Sequence, residues 1–252
     1  MTSVEGLLRA AGGFVVAGVD LAAGSAAAAA AQQSVDDSGL LLLGEMHGAR
    51  ENPLLARALM RAFGITRLAL AWDEDLAPVI EAFLATGTLA GRWLLWSGDD
   101  RITAGRLAVL AELATAGALE VILFDGAVGA EWDWPDRDKA TAGRLLAAAP
   151  APARTVVVAG HAHTPTRPTQ LGIPMGAWLH RQRPGVREVG TDYGSGRYCN
   201  TQPRRFTHPG LRPRRIQLRR DHSLPVPGLP TAEEAIVPHR SGGWPPPAPR
   251  TP

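Results

Sequence analysis

The 252-residue chain has one cysteine, Cys199, one lysine, Lys139, and two tyrosines. A single thiol excludes a disulfide framework within the chain and fits a reducing compartment. No apolar run reaches the roughly eighteen residues that a membrane-spanning helix needs, so no membrane role is expected. Phe, Trp and Tyr make up 6% of the residues. Seven arginines fall between Arg204 and Arg220, but aromatic residues are not interleaved with them as a base-stacking platform requires. Nucleic acid is therefore not an expected partner. There is no Gly-x-Ser-x-Gly elbow, which argues against a serine hydrolase. A phosphate loop and a dinucleotide fingerprint are also missing. Cys199 has no histidine beside it in sequence, so a thiol nucleophile is disfavoured. The small apolar stretch 10–31 lacks the layout of a secretion signal, because Glu5 precedes it and Asp20 interrupts it. A cytoplasmic location is the expectation.

What is present describes a globular protein. Apolar residues make up 45% of the chain, and the length suffices for one domain with a sizeable core. The net charge of +2 hides a division. Residues 1–150 hold 19 acids and 11 bases, and residues 151–252 hold 5 acids and 15 bases. A basic hairpin docked on an acidic body accounts for this, and so does a rim that attracts an anionic substrate.

Short β-type runs alternate with helical patterns. Strands are expected at 40–43, 66–72, 119–124, 155–159 and 187–192. Helices are expected at 53–63, 76–85, 103–116, 136–148 and 175–182, from apolar residues at helical spacing. The Ala-rich stretch 21–35 has helical character, residues 3–20 suggest a short helix, and Asp36-Asp37-Ser38-Gly39 reads as a turn. Such alternation predicts an α/β fold, a mostly parallel sheet with helices on both faces. A late antiparallel hairpin is expected around Asp221-His222-Ser223. The division expected is an N-terminal helical segment 1–38, an α/β domain 39–239 and a Pro-rich tail 240–252. Nine of the 29 residues from Leu224 onward are proline.

Two strand ends carry the chemistry. The tetra-leucine run 40–43 stops at Gly44 and is followed by Glu45, His47, Arg50 and Glu51. The run Thr155–Ala159 ends in Gly160-His161-Ala162-His163. Polar groups at the carboxyl ends of strands are where open α/β sheets place their sites, so both segments are expected to meet at one crevice. Glu45 and His47 point the same way if the chain is still extended, and a carboxylate beside an imidazole raises its basicity and fixes its tautomer. That makes His47 a candidate general base and Glu45 its orienter. His161 and His163 share the two-residue spacing, which on a strand end turns both to one face. They could stabilise an oxyanion, protonate a leaving group or ligate a metal. Asp73, Glu74, Arg101, Asp125 and Trp178 join Arg50 and Glu51 as candidate substrate-binding residues. Four of them have a plainer reading: Asp73 and Glu74 suit a helix N-terminus, Asp125 suits a turn before Gly126, and Arg101 suits an ion pair with Asp99 or Asp100.

Several segments together resemble the erythromycin esterase-like superfamily, which includes ChaN-type haem-binding lipoproteins. They are Gly44-Glu45-Met46-His47-Gly48, the Leu68–Trp72 strand with Phe83-Leu84-Ala85-Thr86-Gly87, Gly160-His161-Ala162-His163, and Met175-Gly176 with Asp192-Tyr193-Gly194-Ser195-Gly196. The resemblance implies an α/β fold and hydrolysis of a macrolide lactone by a water-activating histidine. Carried over, His47 is the base, Glu45 its partner and His163 the second histidine. Ala71 stands where relatives of this type commonly carry Glu. The same strand ends also look like those of calcineurin-like metallophosphoesterases, which would bring two divalent metals, although Glu45 replaces an Asp ligand and the Asn-His-Glu segment is missing. A third reading is a ChaN-type binding protein with His47 or His163 on haem iron. The leading expectation is a hydrolase with no cofactor, acting on an ester or lactone of a small-molecule or peptide substrate, or on a related elimination or cyclisation. Oligomeric state is left open.

Overall fold

A computed structural model of the chain describes residues 2–3, 26–47, 51–89, 101–117, 119–126, 134–151, 153–191, 196–200, 202–206, 215–218 and 222–225. The helix expected within 3–20 and the tail 240–252 lie outside them. In chain order the elements are β1 (Thr2–Ser3), α1 (Ala26–Ser38), β2 (Leu40–Glu45), α2 (Glu51–Ala62), β3 (Arg67–Asp73), α3 (Ala77–Thr86), β4 (Thr88–Leu89), α4 (Ala104–Thr115) and β5 (Glu120–Asp125). There follow α5 (Trp134–Ala148), β6 (Thr155–Gly160), α6 (Met175–Gln182), β7 (Arg187–Thr191), β8 (Gly196–Asn200), β9 (Gln202–Phe206), β10 (Arg215–Leu218) and β11 (His222–Pro225).

Seven strands form the main sheet in the order β11-β10-β7-β2-β6-β3-β5. The five from β7 to β5 run parallel, and the β10–β11 hairpin adds to β7 antiparallel. The fold is thus α/β with a mostly parallel sheet, as the alternation of patterns implies. The leucines of β2 fill both faces. Leu41 and Leu43 pack with Leu68, Leu70, Val156 and Val158 against helices α1 to α4. Leu40 and Leu42 pack with Ala69, Phe124, Val157 and Ala159 against α5 and α6. A strand buried on both faces needs this unbroken apolar run, and each leucine taken out of water contributes roughly 2 kcal/mol.

The strand order decides where a site can lie. The chain leaves β2 for α2 on one face of the sheet, and leaves the adjacent β6 for α6 on the other. Helices departing to opposite faces open a crevice at the carboxyl ends of that strand pair, the topological switch point.

Two local expectations change. Asp36-Asp37-Ser38 is the last turn of α1 instead of a free turn. Ser38 Oγ bonds Ser34 O, and only Gly39, at φ 75°, leaves the helix, its N–H reaching Val35 O at 2.8 Å. Gly196–Asn200 and Gln202–Phe206 pair antiparallel as β8 and β9, which the sequence pattern did not suggest. No helix among the described residues is long and apolar enough to cross a membrane.

Candidate active site at the β2–β6 strand ends

Parallel pairing sets Glu45 beside Gly160, the last residues of β2 and β6. The backbone continues the match, with His161 N–H donating to Glu45 O at 2.9 Å. The two histidine-bearing segments therefore leave the sheet side by side. Gly160 lies between their rings. A Cβ at that position would sit 3.0 Å from His47 Nε2 and 3.5 Å from His163 Cδ2. The missing side chain is what lets both imidazoles approach one point.

His163 has a carboxylate partner that sequence reasoning did not single out. Its Nδ1 lies 2.6 Å from Oδ1 of Asp138, a residue of α5 that is 2% exposed. The other carboxylate oxygen, Oδ2, accepts the Met175 N–H at 3.0 Å, at the start of α6. Asp138 is thus fixed at both oxygens. With Nδ1–H given to a carboxylate, the acceptor nitrogen of the imidazole is Nε2.

The other candidates fall into place as follows. Glu45 is buried and ion-paired with Arg106 of α4, itself buried. Thr103 caps α4, its hydroxyl accepting the Arg106 N–H at 3.2 Å, so the helix start delivers that guanidinium under the strand end. Met46 O accepts from the Asn52 side chain at 2.6 Å, which ties the turn after β2 to α2. The expectation that His161 and His163 face one way is corrected. β6 ends at Gly160 and the next three residues form a turn, closed by His163 N–H to Gly160 O at 2.8 Å. Period two applies only to extended chain. His161 is exposed, while His163 is partly buried against Asp138.

Asp125, at the end of β5, anchors two arginines. Arg101 Nη1 donates to its Oδ2 at 2.7 Å and also to Ala71 O, and Arg137 of α5 reaches the same carboxylate. Burial pushes the Asp125 carboxyl up, but the Arg137 and Arg101 guanidiniums outweigh it and hold the group below its ordinary value. Arg101 thus has a structural partner, though one different from Asp99 or Asp100, which lie outside the described residues. Asp73 caps the short turn Glu74–Leu76, its Oδ1 accepting from Asp75 N at 3.0 Å, and Glu74 is exposed. Trp178 is half-buried on α6, with Lys139 Nζ 5.3 Å and the Arg181 guanidinium 4.7 Å from its ring centroid. Glu51 opens α2, and Arg50 lies outside the described residues. Among the described residues, no group of three or more His, Cys, Asp or Glu side chains is arranged to hold a metal ion.

No family model matches the chain, and no curated protein does. Several solved structures are similar to part of the chain. One titled "Bacterial protein toxins" is 23% identical, with a TM-score of 0.44, and the match covers 62% of this chain and 34% of that one. The C-terminal region of Pasteurella multocida toxin, described as having a thiol-protease-like catalytic triad, is 12% identical with a TM-score of 0.45, covering 64% of this chain and 24% of that one. The type III effector HopBA1 is 18% identical with a TM-score of 0.46, covering 71% and 89%. The chain thus spans about a third or less of the two toxin chains.

Proposed function

We propose that the chain is a hydrolase that opens an ester or lactone by adding water, with His163 as general base, Asp138 as its orienter and His47 as the opposing acid. The observation that carries this reading is the 2.6 Å bond from His163 Nδ1 to buried Asp138, placed across Gly160 from His47 Nε2. Water sits at His163 Nε2 and gives up a proton there as its oxygen attacks the acyl carbon. Charge then collects on the carbonyl oxygen, where a proton donated by His47 stabilises it. Collapse re-forms the carbonyl, returns the donated proton to His47 and breaks the acyl–oxygen bond, and the proton held by His163 passes to the departing alkoxide. A lactone gives a hydroxy acid, and an open ester gives an acid and an alcohol. The Glu45–Arg106 pair supports the β2 end from beneath, and His47 takes the acid role because the carboxylate-held ring is His163.

The test is a panel of aryl esters and lactones, assayed with and without a chelator. His163→Ala is expected to lower kcat by about 10²–10⁴ and to destabilise by about 1–3 kcal/mol, because the buried Asp138 oxygen loses its partner. Full turnover in that variant overturns the assignment. Cleavage of p-nitrophenyl phosphate that a chelator abolishes would favour the two-metal alternative instead.

A further inference from the structure

Two glycines at the site, Gly44 and Gly176, and a buried acid, Glu188, have no part in the proton transfers. All three meet at Thr164, the residue after His163. Thr164 is 0% exposed, and its Oγ1 donates to Oε1 of Glu188 at 2.7 Å. Glu188 is 4% exposed and belongs to β7, which pairs with β2 on the side away from β6. To reach Thr164 its carboxylate passes over the end of β2. There a Cβ on Gly44 would lie 2.5 Å from Thr164 Oγ1 and 3.2 Å from Glu188 Oε1. From the other side comes α6. A Cβ on Gly176 would lie 2.1 Å from Thr164 O, and the Gly176 N–H donates to His163 O at 2.9 Å.

The turn that carries His163 is therefore held by three elements besides the Asp138 bond. β2 supplies the space, β7 supplies a carboxylate, and α6 supplies an N–H. We propose that Glu188 is a positioning residue for His163, acting through the Thr164 hydroxyl to hold the 161–164 turn where Nδ1 meets Asp138. This rests on the reading of His163 as the base and deepens it. A carboxylate placed in a sheet interior costs desolvation, and an apolar side chain on β7 would serve the core as well. What such a side chain cannot do is accept the Thr164 hydroxyl. A shift of about 1 Å in a catalytic group is enough to cost on the order of 10²-fold in rate.

The test uses a variant that leaves neither member of the Thr164–Glu188 bond facing a missing partner. Thr164→Val with Glu188→Leu removes both polar partners at once, which avoids the cost of an orphaned carboxylate. Nitrogen-15-labelled full-length protein is followed by NMR at the His163 Nδ1 proton, assigned by its loss in His163→Gln. Hydrolysis of p-nitrophenyl acetate is measured in parallel. The double variant is expected to fold, to lose or broaden that resonance, and to drop about 10²-fold in kcat with KM little changed. Thr164→Ser, which keeps the hydroxyl, is expected to restore both. A double variant that keeps the resonance overturns the proposal, as does a Ser variant that fails to restore it. If the native chain hydrolyses no ester, the hydrolase reading fails, but the resonance still decides whether Glu188 positions His163.

Discussion

Asp138 has two oxygens and two donors, and that arithmetic makes it the most informative single residue to change. In Asp138→Asn one oxygen must serve both Met175 N–H and His163 Nδ1–H. If the new amide keeps the backbone donor, it turns its NH2 toward His163 and forces the ring proton onto Nε2. The base then has no electron pair for water. We expect kcat to fall by about 10²–10⁴, with Tm within a few degrees of the parent, and NMR of the ring nitrogens should show the exchanged tautomer. A variant with unchanged turnover would mean that the bond orients nothing. The approach of the His47 and His163 segments was legible in the sequence because both follow buried strands, but not the surroundings of Glu45, which pairs with Arg106. Asp138 was not, because Asp136-Arg137-Asp138-Lys139 has the composition of any solvated helix start. Nothing local distinguishes the buried acid from Asp136, which is exposed. The same holds for Arg106, one arginine among many until α4 carries it to Glu45.

Among the elements, α6 is the one whose seating bears on the site. Met175 N–H holds Asp138, and Gly176 N–H holds His163 O. The helix start is pressed so close to the 163–165 backbone that a Cβ at Gly176 would meet the Thr164 carbonyl, which has no flexible end to give way. Gly176→Ala is therefore expected to destabilise by about 3 kcal/mol, the upper end of overpacking costs. Gly143, in mid-α5, is the natural control, since a Cβ there meets nothing within 4 Å. Gly143→Ala should stabilise by about 0.5–1 kcal/mol through helix propensity alone. Urea unfolding of the two variants separates close approach from propensity, and equal effects would refute the packing argument. The span of α6 follows from its apolar spacing, and the reading of 175–182 coincides with the helix. Other boundaries were less legible. The Asp36-Asp37-Ser38-Gly39 run has turn composition, yet tertiary packing of Val35 and Ala31 draws the helix through to Ser38. The β8–β9 pair contains no alternation to reveal it, and it forms its own two-stranded sheet.

For the whole molecule, periodicity gives the layers but not the order of the strands. The unbroken leucines of β2 say that both faces are covered, and the helical patterns say by what. Nothing in the chain says that β6 returns to lie between β2 and β3, although that insertion makes the crevice. The same order leaves Asp125 at the far edge strand, where it joins Ala71 O through Arg101 and α5 through Arg137. This cluster ties β3, β5 and α5 together, and its charge makes the tie depend on pH. The folded protein holds the Asp125 carboxyl below its ordinary 3.8, because the two guanidiniums outweigh the cost of burial. The unfolded chain then binds more protons than the folded one as pH falls through that value. The stability the cluster gives is thus complete above about pH 4 and is lost below, as the pH drops through the depressed folded value. Removing the carboxylate takes the counter-charge away from both arginines at every pH. We expect Asp125→Asn to be about 3 kcal/mol less stable than the parent at pH 7, at the low end for breaking a buried pair because Arg137 can turn toward solvent. The gap should narrow steadily between about pH 4 and pH 2, since the parent loses what the variant never had. Urea midpoints across that range measure it, and a gap that stays constant with pH would show that Asp125 acts by shape instead of charge.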